Sequence, residues 1–244
     1  MRAVGIIPAR LRSTRFDAKP LALLCGKPMI QHTYEAASRA SSLHAVYVAT
    51  DAAEIAATVP RSLMTDSSCA TGTDRVLQAL SQLQTPYDIV VNIQGDEPAI
   101  DPSHIDQCVA ALEADDSCVM STLMAPVHSE AEARNFNVVK VVANQHAQAL
   151  YFSRALIPAS KDNSFDPTKT MKHIGLYAFR RTFLVDTIPT LLHNELGECE
   201  DLEQLRVLEA GYKIKMVAVA SAHPGVDVPS DIAKLEAILC PDSK

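Results

Sequence analysis

Glycine is scarce in this sequence, with eight in 244 residues. None of them falls into GxxxxGK[ST] or GxGxxG, which excludes a P-loop site and a typical dinucleotide-binding turn. No uninterrupted apolar run is long enough to cross a bilayer, so no membrane insertion is expected. The opening MRAVGIIPAR has too short a hydrophobic run for a secretory signal, and an arginine follows it at once. The six cysteines (Cys25, Cys69, Cys108, Cys118, Cys199 and Cys240) include no CxxC pair. They read as reduced thiols of a cytoplasmic protein rather than as a disulfide or zinc framework. An excess of positive charge is missing too. Twenty-two Lys and Arg against 29 Asp and Glu leave a net charge of −7, which repels nucleic acid and anionic membranes. There is no internal repeat and no low-complexity tract.

What remains is an ordinary globular composition, 48% hydrophobic and 21% charged, in a chain long enough to bury a large core. Its first half alternates short apolar strands (AVGIIP, HAVYVAT, DIVVNIQ) with amphipathic helices (PMIQHTYEAASRA, TDRVLQALSQL). This pattern predicts an α/β fold with a mostly parallel central sheet and helices on both faces. In the second half, VVKVVAN, QALYFS, HIGLYAFR and KIKMVAVA are strand candidates with few helices between them, so a smaller part with antiparallel strands is expected. CEDLEQLRVLEA predicts one helix ended by Gly211, and PSDIAKLEAIL a terminal one. The polar segment 158–170 predicts an exposed loop.

In open parallel sheets, ligands gather outside the carboxyl ends of the strands. After the first strand, GIIPARLRSTRFDAKPL holds Arg10, Arg12, Arg15 and Lys19 against Asp17 alone, an unusual density of cations for an acidic chain. After DIVVNIQ comes GDEP, with Asp96 and Glu97. Alone, Asp96 reads as an acidic turn or cap. Beside a basic loop it reads as a ligand for Mg²⁺, which favours one or two carboxylates together with phosphate oxygens. Cations and a metal-binding carboxylate in one chain suit a triphosphate.

The ordered pieces IIPAR–S–R–KPL–GKPMI, VATD, TGTDR, VVNIQGDEP, ALYFSRALIP, HIGLYAFR, EDLEQLRVLE and GVDVPSDI run from about residue 4 to residue 235. Together they resemble the CMP-Kdo synthetases, the 3-deoxy-manno-octulosonate (Kdo) cytidylyltransferases. The resemblance implies a Rossmann-like nucleotidyltransferase fold and a single cytidylyltransferase domain over 1–244. Within it, a CTP-binding part lies mainly in 1–125, a sugar-acid-binding and dimerisation part mainly in 126–215, and a C-terminal helix over 229–240. It implies a cytoplasmic homodimer that couples CTP to Kdo with Mg²⁺, releasing pyrophosphate and forming CMP-Kdo for lipopolysaccharide.

On the family's pattern Arg10 and Lys19 match phosphate-contacting positions, with Ser13 and Arg15 in the same loop. Thr73 and Arg75 match the surroundings of the cytidine. Gln94, Arg154, His173, Tyr177, Glu203 and Gln204 match the positions that hold Kdo, while Asp96 and Asp227 match the metal carboxylates. Taken singly, Tyr177 would be a core aromatic, His173 a satisfied histidine, and Glu203 and Gln204 an exposed helix face. The chain departs from the pattern at Asp17-Ala18, where the family usually has Pro-Gly, and is shortened after AEIAATVPRSLMT. Two rival readings follow from the resemblance. One is the same reaction on the 8-amino analogue of Kdo, whose enzymes tend to carry Gln at the place of Glu97. The other is a non-catalytic nucleotide-binding relative.

Overall fold

The computed structural model describes residues 1–11, 16–191, 193–223, 225–226 and 228–240. The chain forms two compact units, Met1–Asp106 with His223–Lys244, and Gln107–Ala222.

The first unit is a parallel sheet. Strand β1 (Ala3–Ala9) is buried along almost its whole length. A single 3-10 turn at Lys19–Leu21 leads into the two-residue strands β2 (Leu23–Leu24) and β3 (Lys27–Pro28), which form an antiparallel hairpin. Helix α1 (Met29–Ala37) starts after Pro28, as its sequence predicts, and buries Met29, Ile30, Thr33, Ala36 and Ala37 along one face. Strand β4 (Leu43–Thr50) pairs in parallel with β1, and β5 (Ser62–Met64), reached through the short helix α2 (Ala53–Ala56), pairs with β4. Helix α3 (Gly72–Ser81) opens on a capping box, in which the Thr71 hydroxyl accepts from the Asp74 amide and the Asp74 carboxylate accepts from the Thr71 amide. Strand β6 (Ile89–Asn92), wholly buried, pairs in parallel with the other edge of β1. Helix α4 (Pro102–Glu113) then leads into the second unit.

The second unit is mostly antiparallel. Strand β7 (Met120–Pro126) has no clean hydrophobic alternation, and nothing in its residues alone marks it as a strand. Its buried Ser121 is satisfied by the Cys108 carbonyl at 2.8 Å, which is why a polar pair can stand in the middle of the sheet. After the short helix α5 (Glu130–Ala133), β8 (Lys140–Ala143) pairs antiparallel with β9 (Ala149–Ser153). Strand β10 (Met171–Arg180) runs antiparallel to both β7 and β8. The polar segment before it is largely exposed, as expected. Strand β11 (Ile214–Ala218) lies parallel to β7.

The helix expected over CEDLEQLRVLEA is instead two, α6 (Glu195–Glu200) and α7 (Leu205–Glu209). Asp201 breaks the run in the left-handed region, φ 53° and ψ 53°. The carbonyls this frees are taken by Arg154, whose guanidinium lies 2.6 Å from Glu200 O and 3.1 Å from Asp201 O. Gly211, φ 81°, follows α7 as a left-handed terminator, as its position predicts.

The chain ends in the first unit as α8 (Ser230–Leu239). The cysteine expectation is corrected here, because Cys25 and Cys240 form a disulfide with sulfurs 2.03 Å apart, closing the hairpin turn onto the end of α8. A separation of 215 residues hides this pairing from sequence spacing. Cys69, Cys108, Cys118 and Cys199 are free. Around the bridge Leu24, Met29, Val226 and Leu235 form a buried cluster. Among the described residues no helix is long and apolar enough to cross a membrane.

Candidate active site

In the first unit the cations and carboxylates gather at the carboxyl ends of β1, β4 and β6. Arg10, exposed, follows β1. Ser13 and Arg15 lie outside the described residues, as does Asp227. The loop closes where the Ala18 amide donates to Leu11 O at 3.0 Å, and Ala18 sits at φ 51°, a conformation that suits glycine. Asp17 is exposed. The next residue, Lys19, donates from Nζ to Asp96 Oδ2 and to Val226 O, both at 2.7 Å.

Two glycines allow this close approach. A Cβ on Gly95 would lie 3.0 Å from Pro8 O, and one on Gly225 would lie 3.1 Å from Asp96 O. The Val226 amide in turn donates to Asp96 O at 2.9 Å. Three segments, from residues 19, 96 and 226, are therefore tied at one ammonium and one carboxylate. Beside them, burial and the charge of Asp96 push the Glu97 carboxyl up to about 8.

Thr73 and Arg75 lie buried in the first turns of α3. The Arg75 guanidinium donates to Thr65 Oγ1 at 2.6 Å and to Asp51 Oδ2 at 3.0 Å. The other Asp51 oxygen accepts from the Leu11 amide at 3.4 Å, which links Arg75 to the start of the basic loop. Asp51, the last residue of the VATD piece, directly follows β4 and has no role among the expectations from sequence. Its position there was the available signal. Gln94 is half-buried in the turn after β6, where its carbonyl accepts from the Glu97 amide at 3.3 Å.

The second unit brings together His173, Tyr177 and Gln204. The imidazole of His173 packs edge-on to Phe152, with centroids 5.0 Å apart, and against Tyr177 at 5.4 Å. Its Nε2 lies 2.9 Å from Thr122 Oγ1, and burial pushes the imidazole down to about 3, so it is neutral across the physiological range. The Tyr177 hydroxyl donates to Gln204 Oε1 at 3.4 Å. Gln204 is buried, and among the described residues its Nε2 has no hydrogen-bond partner, a donor left for a ligand or water. Glu203, next to it, is exposed.

Arg154 stands at the end of β9, held from both sides. Lys140, fully buried, donates to Arg154 O at 2.6 Å and to Val138 O at 2.6 Å. The Glu200 carboxylate accepts from the Arg154 amide at 2.8 Å and from the Ser153 hydroxyl at 2.6 Å. The guanidinium bonds Glu200 O, Phe136 O, Asp201 O and Asp201 Oδ2. Those contacts use Nε, Nη1 and Nη2, so most of its donors serve the chain itself.

A family model described as cytidylyltransferase matches residues 4–214. The chain is 47% identical to a 3-deoxy-manno-octulosonate cytidylyltransferase of Desulfatibacillum aliphaticivorans, over 98% of this chain and 99% of the relative. It is 46% identical to an 8-amino-3,8-dideoxy-manno-octulosonate cytidylyltransferase of Shewanella pealeana, over 99% of this chain and 100% of the relative. A solved structure of CMP:2-keto-3-deoxy-manno-octonic acid synthetase complexed with CTP superposes with a TM-score of 0.92 at 36% identity, covering 99% of this chain and 100% of that one. By sequence along its full length and by fold, the chain belongs to the 3-deoxy-manno-octulosonate cytidylyltransferase family.

Proposed function

We propose that this chain transfers the cytidylyl group of CTP to Kdo, releasing pyrophosphate and forming CMP-Kdo for lipopolysaccharide. The observation that supports the reading is the Lys19–Asp96 contact at 2.7 Å, which joins a cation of the basic segment that follows β1 to a hard oxygen donor in the turn after β6, its parallel neighbour. The reaction is an in-line displacement. The anomeric hydroxyl of Kdo attacks the α-phosphorus, its bond to phosphorus forms as the bond to pyrophosphate breaks, and no protein nucleophile intervenes. Arg10 and Lys19, with Ser13 and Arg15 of the same loop, hold the triphosphate and offset the charge that grows on the leaving group. Thr73 and Arg75 surround the cytidine. Gln94, Arg154, His173, Tyr177, Glu203 and Gln204 hold the sugar acid, the unpaired Gln204 amide meeting one of its oxygens.

Mg²⁺ fits the donor set. Asp96 and Glu97 offer only oxygen, and Glu97, driven to about 8 by burial and by its neighbour's charge, would be drawn to its carboxylate form by a divalent cation bound beside it. Asp96 and Asp227 would hold it. Its chemistry is to acidify an oxygen it binds and to screen two anions from each other. The working form on this reading is a cytoplasmic homodimer.

The experiment is pyrophosphate release from CTP with Mg²⁺, with Kdo and its 8-amino analogue assayed in parallel. The reading predicts turnover with Kdo and much weaker turnover with the analogue. Preference for the analogue would transfer the assignment to the Shewanella-type activity, and no release with either would favour a non-catalytic relative.

A further inference from the structure

Thr122 is fully buried near the start of β7 and has no part in the assignments above. It faces the place where β10 is irregular. The register runs from Ile174 opposite Leu123 to Tyr177 opposite Thr122, leaving Gly175 and Leu176 as extra residues on β10. There the Thr122 hydroxyl makes two contacts, at 2.9 Å to His173 Nε2 and at 3.2 Å to Ile174 O.

A threonine hydroxyl carries a single proton, and a carbonyl can only accept. Both contacts are hydrogen bonds in one arrangement alone. Thr122 gives its proton to Ile174 O and accepts from a proton on His173 Nε2. The imidazole is neutral, since burial holds it down to about 3. A neutral ring with Nε2 protonated has a bare lone pair on Nδ1. Nothing among the described residues bonds that Nδ1. Phe152 and Tyr177 pack against the ring, with centroids 5.0 and 5.4 Å away.

We propose that Thr122 is a positioning residue that fixes His173 as the Nε2–H tautomer, so that the histidine meets its ligand as a hydrogen-bond acceptor at Nδ1. The substrate half of this proposal rests on the reading that His173 contacts the sugar acid. It deepens that reading by excluding one of its forms. An acceptor nitrogen binds a hydroxyl and repels a carboxylate, so His173 selects a hydroxyl of the sugar while the carboxylate is held by other donors.

The test joins a spectrum to kinetics in the full-length protein. Long-range ¹⁵N–¹H correlation of histidine-labelled protein, with the His173 signals assigned by their loss in His173→Gln, reads the tautomer directly. Wild type and Thr122→Ser are expected to show protonated Nε2 and bare Nδ1, and Thr122→Val a mixture of tautomers. The Michaelis constant for Kdo should rise about three- to tenfold in Thr122→Val, as for one lost hydrogen bond. It should stay near wild type in Thr122→Ser, and that for CTP should not move in either. A protonated Nδ1 or a charged ring at neutral pH in wild type overturns the proposal. So does a tautomer unchanged in the valine variant, or an equal loss in the serine and valine variants. If the valine variant does not fold, the wild-type and serine spectra still decide the tautomer. The assigned tautomer in a protein that releases no pyrophosphate with Kdo would refute the substrate reading and leave the role of Thr122 supported.

Discussion

Single residues carry the departures from the expected pattern. Ala18 occupies the left-handed region at φ 51°, where a Cβ is strained and the family usually has glycine. Ala18→Gly should therefore stabilise the protein by about 0.5–1 kcal/mol, after the greater freedom of glycine in the unfolded chain offsets part of the gain. Chemical denaturation would measure it, and the Michaelis constant for CTP should fall modestly. Arg154 matches a substrate position, yet its guanidinium closes the end of α6 and the 136–154 region. Arg154→Ala should thus lower stability by about 2–3 kcal/mol as well as raise the Michaelis constant for Kdo. An alanine variant with unchanged melting would mean those contacts contribute nothing. The buried imidazole of His173 contributes stability only while it is neutral. Its folded pKa lies near 3, below the ordinary 6.5, so the unfolded chain takes up the proton first. The stability this group contributes is whole above pH 6.5 and is lost as pH falls towards 3. His173→Gln should flatten the fall of melting temperature in that window, and an unchanged acid limb would show that the ring is not buried neutral.

At the scale of elements, what was legible depended on whether a segment's partners were local. β1, β4 and β6 announce themselves as continuous apolar runs because both their faces are covered. The helix read over TDRVLQALSQL is α3, whose cap, Thr71 with Asp74, lies just before that reading and within one turn of chain. By contrast β7 carries a buried Ser121 and Thr122 whose partners, Cys108 and Ile174, are 13 and 52 residues away, so its polar centre hides the strand. The break between α6 and α7 depends on Arg154, 46 residues distant, and the Cys25–Cys240 bridge on residues 215 apart. That bridge ties α8 to the hairpin beside Glu236, whose carboxylate accepts from the Cys25 amide at 3.0 Å. Reduction should speed amide exchange in α8 while leaving β1, β4 and β6 protected. Free thiols at both positions in peptides mapped without reductant would show the pairing to be wrong.

The whole molecule carries a net charge of −7, so on the proposed function a polyanionic substrate is met by one local cluster of cations. The types of residue in that cluster could be read from the sequence, because cations crowding one loop of an acidic chain require an anion. Their union could not, since Lys19, Asp96 and Val226 are brought together by contacts that span 77 and 207 residues. The second unit was less legible. His173 and Tyr177 gain their setting from a strand irregularity, and Gln204 its unpaired amide from burial behind a helix break. On the proposed function, cytidylyl transfer takes place at the Lys19–Asp96 corner of the first unit. Pyrophosphate release from CTP and Kdo at saturating Mg²⁺, compared between wild type and Asp96→Asn, tests it most directly. An amide is a poor ligand for a hard cation beside a triphosphate, so the variant should fold normally and release pyrophosphate about a hundredfold more slowly or worse. A variant that turned over near the wild-type rate would contradict the account.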